Sequence, residues 1–139
     1  MNAWLLDTGP IVAYLNRTDP WHDRVADCLD RFGGRLHTTS AVITECMHFL
    51  QPHPAGPALL VEFLAAARVN VLETSTIPQL QRTILLMAKY TNVPMDFADA
   101  TLVLLAEQLG VFDVCTLDRR GFATYRSTKC KKFINVMDL

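Results

Sequence analysis

The chain has no apolar run of the roughly 18 residues that a membrane span needs. Nor does a basic stretch precede a hydrophobic one near Met1, so no signal peptide is expected. Its four cysteines, Cys28, Cys46, Cys115 and Cys130, form no CxxC pair, and none has a histidine at zinc-finger spacing. The four histidines, His22, His37, His48 and His53, make no ligand spacing of their own. Glycine is scarce, at 6 of 139 residues, and no segment repeats or falls to low complexity. With half of the chain apolar at this length, disorder and a disulfide-stapled mini-fold are excluded. Reduced thiols in a cytoplasmic protein are the expectation.

What remains is apolar. Half of the residues are hydrophobic, which suits one domain over 1–139 with a core of its own. The mean hydropathy of +0.18 is high for a small monomer and suits burial at an interface. The net charge of −1 conceals an asymmetry: residues 1–118 carry 7 basic and 13 acidic side chains. Residues 119–139 carry Arg119, Arg120, Arg126, Lys129, Lys131 and Lys132 against Asp138 alone. Such a tail is either a solvated surface run or a place for phosphates.

Short apolar runs alternate with stretches of helical spacing. Strands are expected at residues 3–6, 35–38, 69–72 and 114–117, with a weak fifth at 133–136. Helices are expected at 11–15, after a Pro10 first turn, and at 19–32 with Asp19 as cap. Further helices are expected at about 40–50, 58–68, 79–90 and 96–109, the last closed by Gly110. Pro52, Pro54 and Pro57 read as a stiff connector. Strands that are apolar without a period of two, alternating with helices, mean a parallel sheet covered on both faces. The working site of such a sheet lies at the carboxyl ends of its strands.

Four acids stand out by position. Asp7 closes the first strand, Glu45 sits in the helix after the second, Asp99 opens the helix before the fourth, and Asp118 closes that fourth strand. Each has a plain alternative: Asp7 and Asp96 as caps, Asp118 in a turn, Asp99 in a first turn that favours acids. Glu45 is harder to dismiss. Val42 and Phe49 place it on an apolar stripe, and between Leu36 and Ala67 there is no Lys or Arg to pair with it. Carboxylates gathered in one crevice repel, and coexist only when protonated or bridged by a divalent cation. Oxygen ligands alone select Mg2+ or Mn2+ over zinc. Thr8 and Thr116 would add hydroxyls that orient the carboxylates.

The series Asp7-Thr8-Gly9-Pro10, Thr39-Ser40 to Glu45, Pro94 to Ala100, and Thr116-Leu117-Asp118-Arg119-Arg120-Gly121-Phe122 resembles the motifs of PIN-domain ribonucleases. More narrowly it resembles VapC-type toxins of toxin–antitoxin modules. The resemblance implies a Rossmann-like three-layer α/β/α sandwich with a five-stranded parallel sheet, and Mg2+- or Mn2+-dependent cleavage of RNA to 5′-phosphate and 3′-hydroxyl ends. It puts the catalytic acids at Asp7, Glu45, Asp99 and Asp118, the first, third and fourth as principal metal ligands, with Asp96 as an additional acid. It implies a homodimer silenced by an antitoxin whose segment lies near the site. Arg119, Arg120, Lys129, Lys131 and Lys132 are then expected on RNA phosphates, with Trp21 and Tyr125 as candidate base-stacking residues. Gly121 departs from the pattern, since relatives commonly carry a polar or acidic residue there. Alternatives are a PIN nuclease of RNA maturation and a non-catalytic PIN-like binding module. A receiver-like domain would need a second acid beside Asp7, and a haloacid-dehalogenase-type phosphatase an Asp at position 9, which is Gly9.

Overall fold

The computed structural model describes residues 2–137. Asp138, the one acid of the basic tail, lies outside the described residues. The elements run β1 (Ala3–Leu6), α1 (Thr8–Leu15), α2 (His22–Arg31), β2 (Arg35–Thr39), α3 (Ser40–Leu50), α4 (Gly56–Ala66), β3 (Asn70–Leu72), α5 (Ile77–Lys89), α6 (Phe97–Leu109), β4 (Asp113–Cys115), α7 (Arg119–Thr124) and β5 (Ile134–Asn135). Among the described residues no helix is long and apolar enough to cross a membrane.

The sheet order is β3-β2-β1-β4-β5, and every neighbouring pair is parallel. The chain builds outward from β1 on one side, then returns to place β4 and β5 on the other. That reversal opens a crevice at the carboxyl ends of β1 and β4. Leu5, Leu6, Val114 and Cys115 are fully buried, as strands covered on both faces require. α6 is buried without a break from residue 98 to 106 and packs on β2, α3 and α5. A helix apolar all round has no wet face to offer, so it becomes the central helix. Its hydroxyl is satisfied inside: Thr101 Oγ1 donates to the Ala98 carbonyl at 2.7 Å and meets Thr39 Oγ1 at 2.8 Å.

Side-chain caps fix where the helices start. Thr39 caps α3, Thr76 and Gln79 form a reciprocal capping box at α5, and Asp96 and Asp99 form another at α6. Gly110 ends α6 in the left-handed region, at φ 68°.

Several boundaries differ from expectation. α1 begins at Thr8 because the Asp7 side chain caps it, and α4 begins at Gly56, inside the proline connector. Asp19 does not cap α2; its Oδ1 accepts from Trp21 N at 2.8 Å and holds a turn that delays the helix to His22. β4 stops at Cys115, so Asp118 lies beyond the strand as the N-cap of α7, a helix that was not expected. Phe49 is 53 % exposed; the buried stripe of α3 runs through Val42, Cys46 and Leu50, and half-buried Glu45 lies at its edge. Tyr125 is fully buried and stacks on no base. It packs edge-on against Phe122 at 5.3 Å and Tyr90 at 5.1 Å, and this aromatic cluster seats α7.

Gly33 and Gly34 follow α2, and space demands glycine at one of the two positions. A Cβ on Gly34 would lie 2.2 Å from the Asn2 carbonyl oxygen and 2.4 Å from the Phe32 ring, whereas one on Gly33 would meet nothing within 4 Å. Gly34→Ala is therefore expected to cost about 1–3 kcal/mol, and Gly33→Ala to stay within about 0.5 kcal/mol. Urea denaturation of the two variants checks this; equal losses would show that turn conformation, not space, selects the pair.

Candidate active site

β1 ends by delivering Asp7 into the crevice. Asp7 Oδ1 accepts from Thr8 N at 2.8 Å, and Oδ2 accepts from Thr116 Oγ1 at 2.7 Å. The backbone supports it too, with Asp7 N donating to the Cys115 carbonyl at 3.0 Å. Thr116 Oγ1 in turn accepts from Asp118 N at 2.9 Å. One hydroxyl thus ties the ends of β1 and β4 together. Asp7 and Asp99 are buried, Glu45 is half-buried, and Asp96 and Asp118 are exposed. All five line one open cleft of about 360 Å3. Thr8 lines it as well, and its hydroxyl is buried with no partner of normal hydrogen-bond geometry.

Each acid placed at a helix start serves the backbone and the cleft together. Asp99 N donates to Asp96 Oδ1 at 2.8 Å, and Asp96 N to Asp99 Oδ2 at 3.1 Å. Asp118 Oδ1 accepts from Gly121 N at 3.0 Å. The cap and the site were alternatives in the sequence; the same carboxylates do both.

Electrostatics marks the buried pair. Desolvation pushes the Asp7 carboxyl up to about 6, against the hydrogen bonds from Thr116 and Thr8 and with help from the Asp96 and Glu45 charges. Desolvation, then the Asp7 and Asp96 charges, push the Asp99 carboxyl up to about 8. The ion pairs found among the described residues, Arg31 with Asp27 and Arg82 with Glu107, lie outside the cleft. Asp19 on the α1–α2 turn adds a sixth carboxylate to the lining. Its identity as a helix cap in the sequence concealed it, and only the tertiary path of the turn brings it in.

Among the described residues no three acid, imidazole or thiol side chains stand close enough to enclose an ion as they are turned. The caps explain this, because they draw Asp96, Asp99 and Asp118 onto backbone N–H groups. The donors still fit a hard divalent cation. They are oxygens alone, two carboxyls are buried against their preference for charge, and a buried hydroxyl beside them lacks a partner. Rotation of short side chains separates the capping state from a liganding one.

The structure divides the basic tail. Arg119 borders a shallow depression with Trp21, Arg24 and Thr116, next to the acids. Arg120 follows it on the exposed first turn of α7. Lys131 and Lys132 instead line a pocket with Asn2, Ala3 and Asp113, where β1 and β4 begin. They stand at the opposite end of the sheet, and Lys131 Nζ sits 4.5 Å above the Phe112 ring. Lys129 is exposed in the turn between the bridged residues Arg126 and Lys132. Arg126 spends its guanidinium on the Ala123, Thr124 and Tyr125 carbonyls at the end of α7.

Fold and cleft together define a Rossmann-like α/β protein whose site is a set of unpaired acids at the switch point of a parallel sheet. The family model of the PIN domain matches residues 4–127, and the chain belongs to that family. It is 26% identical over 125 residues to Ribonuclease VapC26 of Mycobacterium tuberculosis, covering 88% of this chain and 91% of that one. Its fold matches the crystal structure of Mycobacterium tuberculosis VapC20, described as a Sarcin-Ricin loop cleaving toxin. That match has a TM-score of 0.75, at 16% identity over 85% of this chain and 91% of the other.

Two outcomes follow from the geometry. Both buried carboxyls hold protons in the folded chain at pH values where their unfolded counterparts, near 3.8, are ionised. The native state therefore binds more protons, and without divalent cations stability falls as pH rises from about 4 to 8. Asp99→Asn removes the larger part of this slope and raises the melting temperature at pH 8. Thermal melts across that range in chelator check it, and an unchanged slope would refute the burial assignment. At Gly121 a Cβ would lie 2.2 Å from Asp118 Oδ2. Gly121→Ala is expected to turn that carboxylate out of its cap with a net stability change within about 1 kcal/mol, gained helix propensity offsetting the lost cap. The freed carboxylate then lowers the Mn2+ concentration needed for half-maximal thermal stabilisation; a higher concentration would show that the cap position is the liganding one.

Proposed function

We propose that this chain is a divalent-cation-dependent endoribonuclease, and the toxin of a toxin–antitoxin pair. The observation that carries the proposal is the set of five acids, Asp7, Glu45, Asp96, Asp99 and Asp118, on one cleft, with the carboxyls of the two most buried pushed up by desolvation. Likeness to a relative named as a ribonuclease along nearly the full chain supports RNA as the substrate.

In this proposal Asp7, Asp99 and Asp118 hold the principal Mg2+, with Mn2+ able to substitute, and Glu45 holds a second ion or orients the attacking water. When bound, the cation supplies positive charge against the phosphodiester and makes water more acidic. Thr116 keeps the Asp7 carboxylate aimed by its 2.7 Å hydrogen bond. Asp96 positions Asp99 by sharing the α6 capping box. Arg119 and Arg120 stand beside Asp118 and take the phosphates that flank the scissile one, an attraction that weakens with salt. Lys129, Lys131 and Lys132, remote from the acids, extend the contact only along a long substrate.

A homodimer and a neutralising antitoxin complete the proposal. Ile84 and Leu85 on α5 are 65 % and 72 % exposed, a surface suited to burial against protein.

Incubation of total cellular RNA with the protein and Mn2+, followed by mapping of new 5′ ends, tests the activity. Asp7→Asn, Glu45→Gln and Asp99→Asn are each expected to lower cleavage by at least about 100-fold, the scale on which catalytic groups act. Melting temperatures should stay equal or rise, because mutual repulsion falls. Full-rate cleavage by Glu45→Gln would remove Glu45 from the site.

A further inference from the structure

The acids occupy only part of the cleft. Val12, Phe49 and Leu117 line the rest, and Phe49 exposes more than half of its surface there. Leu117 also lines the adjoining depression, whose wall includes Trp21, 38 % exposed. Phe49 therefore borders the acids directly, and Trp21 borders the depression that shares Leu117 with their cleft. The surroundings of Trp21 are cationic: the Arg24 guanidinium stands 5.6 Å from its ring centroid, and Arg119 shares the depression. The ring is also aimed from below, since Asp19, on the cleft wall, fixes the Trp21 backbone through its 2.8 Å hydrogen bond.

Cations for phosphate and exposed aromatic rings for bases, beside an acidic centre, match the chemistry of a polynucleotide strand. Bases splayed from a single strand stack on aromatic side chains, while duplex bases stay hidden in their own stack. We propose that Phe49 and Trp21 are nucleobase platforms that hold nucleotides flanking the scissile phosphate. Asp19 is the residue that positions Trp21. The inference rests on the nuclease function proposed above and specifies how that substrate lies.

The test compares kcat and KM for cleavage of a fluorogenic, mixed-sequence, single-stranded RNA 12-mer in Mn2+. Phe49→Ala and Trp21→Ala should each raise KM about tenfold, the usual loss for one stacked base. kcat should hold within about threefold, since uniform binding is what is removed. Phe49→Tyr and Trp21→Phe should restore the wild-type KM, which separates stacking from a general defect, and the variants should melt at the wild-type temperature. Annealing the 12-mer to its complement should suppress cleavage by wild type. Unchanged KM in both alanine variants of an active enzyme overturns this inference alone and assigns the two aromatics to a protein-binding surface. A wild type that neither cuts RNA nor gains thermal stability from Mn2+ overturns the nuclease function and this inference with it.

Discussion

The molecule is organised around the burial of like charge. Asp7 and Asp99 come from opposite ends of the chain and meet where solvent can no longer screen them. A fold that did this for no return would lose stability to a variant with asparagine at either position. The chain limits the loss in two ways. Burial holds a proton on Asp99 near neutral pH, which removes one charge of the pair, and backbone N–H groups at three helix starts supply positive dipole to Asp7, the Asp96–Asp99 pair and Asp118. The core supplies the rest. α6, walled in on every side over residues 98 to 106, carries Asp99 to its depth, and the buried carboxyl ends of β1 and β4 leave Asp7 no direction but the crevice.

This arrangement explains why one set of acids serves two ends. A carboxylate at an N-cap is already oriented and short. In the proposed function, side-chain rotation about one or two bonds would turn it from an N–H to a cation. Thr116 binds the system together, because its single hydroxyl donates to Asp7 and accepts from Asp118 N. The two strand ends therefore share one hydrogen-bond chain, and a disturbance at either is felt at the other.

Much of this was legible in the residues. Apolar strands without alternation, separated by helical spacing, implied the parallel sheet, and acids after those strands implied a crevice. Tertiary path was not legible. Arg119-Arg120-Gly121 has the composition of a turn, and α7 forms there because Phe122 and Tyr125 find an aromatic pocket far along the chain. Phe49 fits a helical stripe by spacing, yet the buried face of α3 is the one that carries Val42, Cys46 and Leu50, and Phe49 faces away from it. Asp19 looks like a helix cap and instead bends the chain toward the cleft. The basic tail reads as one cluster in sequence, but the antiparallel bridge between Arg126 and Lys132 folds it back, and its two ends part.

The sheet's outermost members are short: β3 spans 3 residues and β5 only 2. A long flat border would offer unpaired amides and carbonyls to any passing chain, the first step toward fibrils. Here that invitation is nearly withdrawn on both flanks. A protein with so many greasy surface side chains can then accumulate in a cell with clumping governed by those side chains, and hardly at all by backbone templating.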